Sequence, residues 1–122
     1  MKTRWVKSPD WLREVLDQVL DSLPDDIQPR QMFGYPCAFL NGNLFIGLHQ
    51  NNLIMRLNEV DRHQLIENEE AEQFEPMRGK PMNEYITAPQ DWLEDDLGEL
   101  KTWAKSAYDH AKSLPPKIKK AK

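Results

Sequence analysis

At Gln31 the hydrophobic period of this chain changes from about 3.6 residues to about 2, which confines it to a mixed α and β architecture. The run QMFGYPCAFL (31–40) alternates, with Phe33, Tyr35, Cys37 and Phe39 on one side. Asn41-Gly42 follows, a strong hairpin signal, because a type I′ turn needs positive φ at both central residues. LFIGLH (44–49) then places Leu44, Ile46 and Leu48 on one face. After Gln50-Asn51-Asn52, the run LIMRL (53–57) does the same with Leu53, Met55 and Leu57. Three strands joined by short polar turns predict an antiparallel meander. Pro36 cannot donate to a ladder, so the first of these strands is expected to bulge there or to lie at an edge.

Helical patterns flank the strands. Before them, SPDWLREVLDQVLDSLP carries Leu12, Val15, Leu16, Val19, Leu20 and Leu23 at helical spacing. Ser8 is suited to the N-cap, Pro9 to the first helical position and Asp10 to the positive end of the dipole, so a helix over about 9–22 is predicted. Residues 23–30, with two prolines and two aspartates, read as a loop. Beyond the meander, Asn58-Glu59-Val60-Asp61 caps a short helix to about Glu67, and NEEAE reads as a loop. Strands are expected at Phe74–Met77 and Met82–Thr87. A closing helix starts near Pro89 and breaks near Asp95, where Asp96 and Glu99 form a capping box that restarts it. Leu93, Leu97, Leu100, Ala104, Ala107, Ala111 and Leu114 share one face, and its small alanines predict a close approach to the sheet. The expectation is one α+β domain, order α-β-β-β-α-β-β-α, with helices packed on an antiparallel sheet of about five strands. It spans residues 1–114, and 115–122 form a basic tail expected to be disordered.

Composition narrows the class. The chain has 122 residues, 39% hydrophobic and 30% charged, with a net charge of −4 and a single cysteine. One cysteine excludes an internal disulfide framework and a multi-thiolate zinc site. No apolar run approaches the ~18 residues of a membrane helix, and no apolar segment follows the charged N-terminus as in a secretory signal. The expected address is the cytoplasm. Charge is unevenly spread: the last eleven residues hold five of the sixteen basic residues and none of the twenty acidic ones, so residues 1–111 sum to −9. An acidic body repels phosphate backbones, whereas Lys117, Lys119, Lys120 and Lys122 in the tail attract them weakly.

The residues that could carry chemistry are few. MRGKP (77–81) holds Arg78, Gly79 and Lys80, but a phosphate loop needs GxxxxGK[ST] between a strand and a helix. Here one glycine lies between two strands, as at a hairpin tip that uses positive φ. Arg78 and Lys80 then flank that tip as solvated groups or as a small basic contact site. His49, His63 and His110 fall on three different elements without metal-ligand spacing. Cys37 on a face with aromatic neighbours reads as a small hydrophobe; a nucleophile would need His49 from the adjacent strand. Trp92 and Trp103 stand eleven residues apart, nearly the same side of a continuous helix, an alignment that the break at Asp95 is expected to spoil. With Trp5 and Trp11 they are weighed as packing or as anchors for a partner. Neither a cofactor nor a metal is implied.

The runs MFGYPCAFLNGNLFIGLHQ (32–50), FEPMRGKPMNEYITAP (74–89) and WLEDDLGELKTWAKSA (92–107) resemble the TfoX/Sxy N-terminal domain family, over roughly residues 8–114. The shared motifs are a Met-Phe-Gly opening of the first strand, a glycine-bearing hairpin before the last strand and the closing helix. They align Met32, Phe33, Gly34, Gly79 and Trp103 as shape-bearing positions. The resemblance implies a compact α+β domain and carries over no catalytic residue. Fuller members pair this domain with a C-terminal helical domain and regulate competence for DNA uptake alongside a transcription activator. This chain has PPKIKKAK where that second domain would begin, and a single-domain member is expected.

Three functions are weighed on these grounds. The first is a non-enzymatic binding or adaptor domain that engages a protein partner, or a second copy of itself, in transcription-related regulation, with Arg78, Lys80 and Trp92 as candidate contacts. The second is nucleic-acid binding through the tail lysines, which the acidic body disfavours. The third is a Cys37-dependent enzyme, for which the sequence holds little.

Overall fold

The structure, a computed structural model, describes residues 7–32, 34–68, 70–75, 79 and 81–115. Phe33, Arg78, Lys80 and the tail lysines 117, 119, 120 and 122 lie outside the described residues. The first helix, α1 (Asp10–Asp21), buries Leu12, Val15, Leu16 and Val19 on one stripe. Its N-cap is Pro9 rather than Ser8. Ser8 is buried, and its hydroxyl donates instead to the Gln50 carbonyl at 2.7 Å, tying the helix start to a strand turn 42 residues away.

Six strands form one antiparallel sheet: β1 (Gln28–Met32), β2 (Tyr35–Leu40), β3 (Asn43–His49), β4 (Asn52–Arg56), β5 (Glu72–Gln73) and β6 (Tyr85–Thr87), in spatial order β1-β2-β3-β4-β6-β5. The meander is as the period-2 pattern predicts, and Asn41 and Gly42 turn with φ of 52° and 81°. The sixth strand arises because 31–40 is not one strand. The chain reverses between Met32 and Tyr35, with Gly34 at φ 84°, so residues 28–30, expected in a loop, join a hairpin. Proline at Pro29 belongs on such an edge strand.

Pro36 itself neither bulges nor lies at an edge. It faces Gln31 of β1, and the β2–β3 ladder begins one residue later, at Cys37. The bulge lies farther along, where Ala38 pairs Ile46 but Phe39 pairs Leu44, leaving Phe45 as the extra residue on β3. An extra residue re-aims the side chains on either side of it. Phe45 and Ile46 therefore both enter the main core, whereas Leu44, expected beside Ile46 and Leu48, packs with a smaller cluster of Ile54, Phe74, Tyr85 and Met82.

The second helix, α2 (Glu59–Glu67), is capped by Asn58, whose Oδ1 accepts from the Asp61 amide at 2.8 Å. The closing helix breaks as predicted, into α3 (Gln90–Glu94) and α4 (Leu97–Ser113). Asp96 Oδ1 accepts from the Glu99 amide at 3.1 Å, which is half of the expected capping box. The Glu99 carboxylate accepts from Trp103 Nε1 at 2.9 Å. Helices α1 and α4 cover one face of the sheet, with Leu100, Ala104, Ala107 and Ala111 fully buried opposite Phe45, Ile46, Leu53 and Met55. Among the described residues no helix is long and apolar enough to cross a membrane.

Cys37 and Phe39 alternate onto the opposite face, because Cys37 pairs Gly47 and the neighbouring Ala38–Ile46 pair faces the core; Tyr35, in the same alternation, also packs into the main core cluster. Gly47 lets β2 and β3 pack there: a Cβ at this position would lie 2.8 Å from Cys37 Cβ. The substitution Gly47→Ala should therefore destabilise the domain by about 1–3 kcal/mol through overpacking. Adding Cys37→Gly should recover part of that loss relative to Cys37→Gly alone, and urea unfolding of the four proteins in the cycle would measure it.

Candidate functional site

The face of the sheet turned away from α1 and α4 holds Cys37 and His49, two of the residues singled out by the sequence. On β2 and β3, Tyr35 and His49 bring their rings to 5.5 Å, and Phe74 closes on the other side of His49 at 5.2 Å, edge to face. Beside them Arg30 of β1 lays its guanidinium over the Phe39 ring, 5.2 Å from the centroid. This arrangement follows from strand register, since Arg30 pairs Cys37, and Cys37 in turn pairs Gly47, two residues from His49.

Cys37 and His49 are thus diagonal neighbours with Tyr35 alongside, and no hydrogen bond joins them among the described residues. Burial pushes the Cys37 thiol up, opposed in part by Arg30, and burial pushes the His49 imidazole down. At neutral pH the pair is a protonated thiol and an uncharged imidazole. A nucleophilic cysteine needs the reverse, a lowered pKa and an adjacent base. The His49 ring is packed against Tyr35 and Phe74.

Of the strand expected over 82–87, Tyr85–Thr87 forms β6 while Met82–Glu84 lies outside it; of the strand expected over 74–77, Phe74 and Glu75 are in no strand and residues 76 and 77 lie outside the described residues. The Phe74 amide donates to Tyr85 O at 3.1 Å, and the Met82 amide donates to Phe74 O at 2.9 Å. Gln73 Nε2 donates to the carbonyls of Met82 and Tyr85. Prolines at 76 and 81 remove donors that a longer ladder would need, so pairing stops at Glu72–Gln73 against Ile86–Thr87. Gly79 is exposed at φ 80° with its amide donating to the Glu75 carboxylate, the positive φ that its place at a loop tip requires.

Trp92, the third candidate contact, is 6% exposed. It stacks on Trp103 with ring centroids 6.1 Å apart and planes 6° from parallel, so the break at Asp95 does not spoil their alignment. The break lets α3 turn back and deliver Trp92 to α4. Trp103 is half-buried, and Trp11, on the outer side of α1, is 42% exposed. Helical spacing already excluded Trp11 from the Leu12-Val15-Leu16-Val19 stripe, and that signal could have singled it out.

Two charge clusters were not legible beforehand. Asp26, after α1, accepts from the Tyr108 hydroxyl at 2.8 Å and from Lys112 at 3.1 Å. The Tyr108 hydroxyl, then Lys112, hold its carboxyl below the ordinary range. One of the five C-terminal lysines thus belongs to α4 and is paired. Arg56 pairs with Glu84, and Arg62 donates to the carbonyls of Leu57 and Asn83, pinning the Asn83–Glu84 stretch before β6. Among the described residues no group of three or more His, Cys, Asp or Glu could hold a metal ion; His63 pairs with Glu67 on exposed α2.

The sequence model of the TfoX N-terminal domain matches residues 18–111, most of the chain. Curated proteins include no match to it.

The half-buried His49 sets a pH dependence. Its folded pKa lies below the ordinary 6.5, so its contribution to stability is present above pH ~6.5 and is lost as pH falls through the folded value. His110 shifts the same way, by burial first and then by Arg56. Replacing His49 by Phe keeps an aromatic ring between Tyr35 and Phe74 and removes its titration. Urea midpoints at about pH 7.5 and about pH 5 should differ less for His49→Phe than for the native chain.

Proposed function

Because the chain belongs to the TfoX N-terminal domain family, we propose that it is a non-enzymatic binding or adaptor domain that engages another protein in transcription-related regulation in the cytoplasm. The observation that carries this reading is where the large side chains lie. Trp11 stands 42% exposed on α1 between the exposed acids Asp10 and Glu14. Tryptophan displayed in this way is a typical interface anchor. Cys37 and His49, by contrast, are held in packed and uncharged states. Arg78 and Lys80 remain candidate contacts from the sequence, with half-buried Trp103 offering the accessible side of the Trp92 stack. Chemical crosslinking of the full chain in cells, followed by capture, should give a discrete partner set that Trp11→Ala or Arg78→Ala/Lys80→Ala depletes. Identical sets from the native chain and every variant would sink these contacts.

A second reading is favoured by the opposition between the acidic body and the lysine tail: weak nucleic-acid binding through Lys117, Lys119, Lys120 and Lys122. Counterion release makes such binding fall steeply with salt. Fluorescence anisotropy with a random-sequence duplex should show affinity that declines along a salt series and disappears when the four lysines become alanine. Binding that survives those substitutions would refute the tail mechanism.

A further inference from the structure

The sheet has two edges of unequal kind. At one, β5 is two residues long; at the other, β1 runs five residues, all of them exposed, with no strand beyond it among the described residues. Met32 and Tyr35 close the β1–β2 hairpin across a two-residue turn. In such a hairpin the closing pair exchanges both backbone bonds and the pattern then alternates. Gln28, Arg30 and Met32 therefore spend their backbone groups on β2, while Pro29 and Gln31 turn theirs outward. The open edge offers the Gln31 N–H, the Gln31 carbonyl and the Pro29 carbonyl. Pro29 withholds a fourth group, which blunts indiscriminate pairing.

Side chains add a chemical preference. Arg30 lies on the same face as its partner Cys37, over Phe39, and enters no ion pair among the described residues. Met32, on the same face, is 38% exposed. We infer that the β1 edge takes an extended segment of a partner protein as a seventh strand, with a carboxylate opposite Arg30 and an apolar side chain two positions away against Met32. This rests on the protein-binding reading above for the nature of the partner. A second copy of the chain fits poorly. Full two-fold antiparallel overlap of β1 on itself would set Arg30 against Arg30, and like charges directly opposite destabilise a pair. It would also face each Gln31 carbonyl with the missing donor of Pro29.

The test uses the full ¹⁵N-labelled chain and a blocked peptide, Thr-Val-Thr-Glu-Thr-Val-Thr, titrated by NMR. The largest amide shifts are expected at Gln31 and its β1 neighbours, with binding about fivefold weaker for a peptide with Lys at the centre. Arg30→Glu should invert that preference, and Gln31→Pro should abolish the β1 shifts. Dispersed amide spectra would check that each variant remains folded. Shifts that avoid β1, or equal affinity for the Glu- and Lys-centred peptides, would overturn the inference. So would a dimer in sedimentation equilibrium that Gln31→Pro dissolves, because the edge would then belong to a second copy. A crosslinked partner retained by both Arg30→Glu and Gln31→Pro removes the β1 edge and leaves the adaptor reading standing. A chain that captures no protein while the peptide adds at β1 does the reverse.

Discussion

Close packing of α4 on the sheet is the contact on which the other features depend. Ala104, Ala107 and Ala111 are fully buried, and only side chains this small let a helix backbone come so near the strands. Phe45 fills the space beside them, its ring meeting Tyr108 edge to face at 6.2 Å. Each large apolar side chain buried in this layer contributes about 1.5–3 kcal/mol. The exposed Lys105–Asp109 pair contributes about 0–1 kcal/mol. The core therefore sets the architecture, and surface charge is free to follow other demands. Polar contacts then fasten the ends: Asn43 Nδ2 donates to Pro115 O at 3.1 Å, and Asp26 reaches Tyr108 and Lys112.

The bulge at Phe45 makes that packing compatible with a second, smaller cluster. A regular β3 would alternate strictly, and Phe45 would share a face with Gly47 and His49. One extra residue lets Phe45 and Ile46 both enter the main core and turns Leu44 toward Ile54, Phe74 and Tyr85. The Tyr85 hydroxyl donates to the Leu44 carbonyl at 3.1 Å, so the far face of the sheet is tied at the bulge. That face is where Arg30, Tyr35, Cys37, Phe39 and His49 meet. Phe74 packs on His49 there, and the face is open toward β1.

The fold was largely legible because its signals are local. The stripe of α1, the Asn41-Gly42 turn, the Asn58 and Asp96 caps and the break at Asp95 each depend on residues within a few positions. The same locality explains the errors. QMFGYPCAFL reads as one alternating strand, since a turn at Gly34 leaves the period of the flanking residues unchanged. Ser8 looks like a cap until Gln50, distant in sequence, takes its hydroxyl. Of the candidate site, the sequence named Cys37 as a small hydrophobe on an aromatic face and named His49 near it, but the packing of His49 against Tyr35 and Phe74 was not legible. Arg30 passed as a loop residue because only pairing with β2 makes it part of a strand.

By itself, then, the sequence determined the class, the helix limits, the three-strand meander, the family and the opposition between an acidic body and a basic end. These rest on propensity, period and composition, which neighbouring residues settle among themselves. Tertiary structure alone decided the sixth strand, the bulge, the stacking of Trp92 on Trp103 across a helix break and the face on which each β2 side chain lies. Those are questions of register and approach between segments far apart in the chain. A shift of one residue there exchanges the two faces of a strand without altering a single local preference.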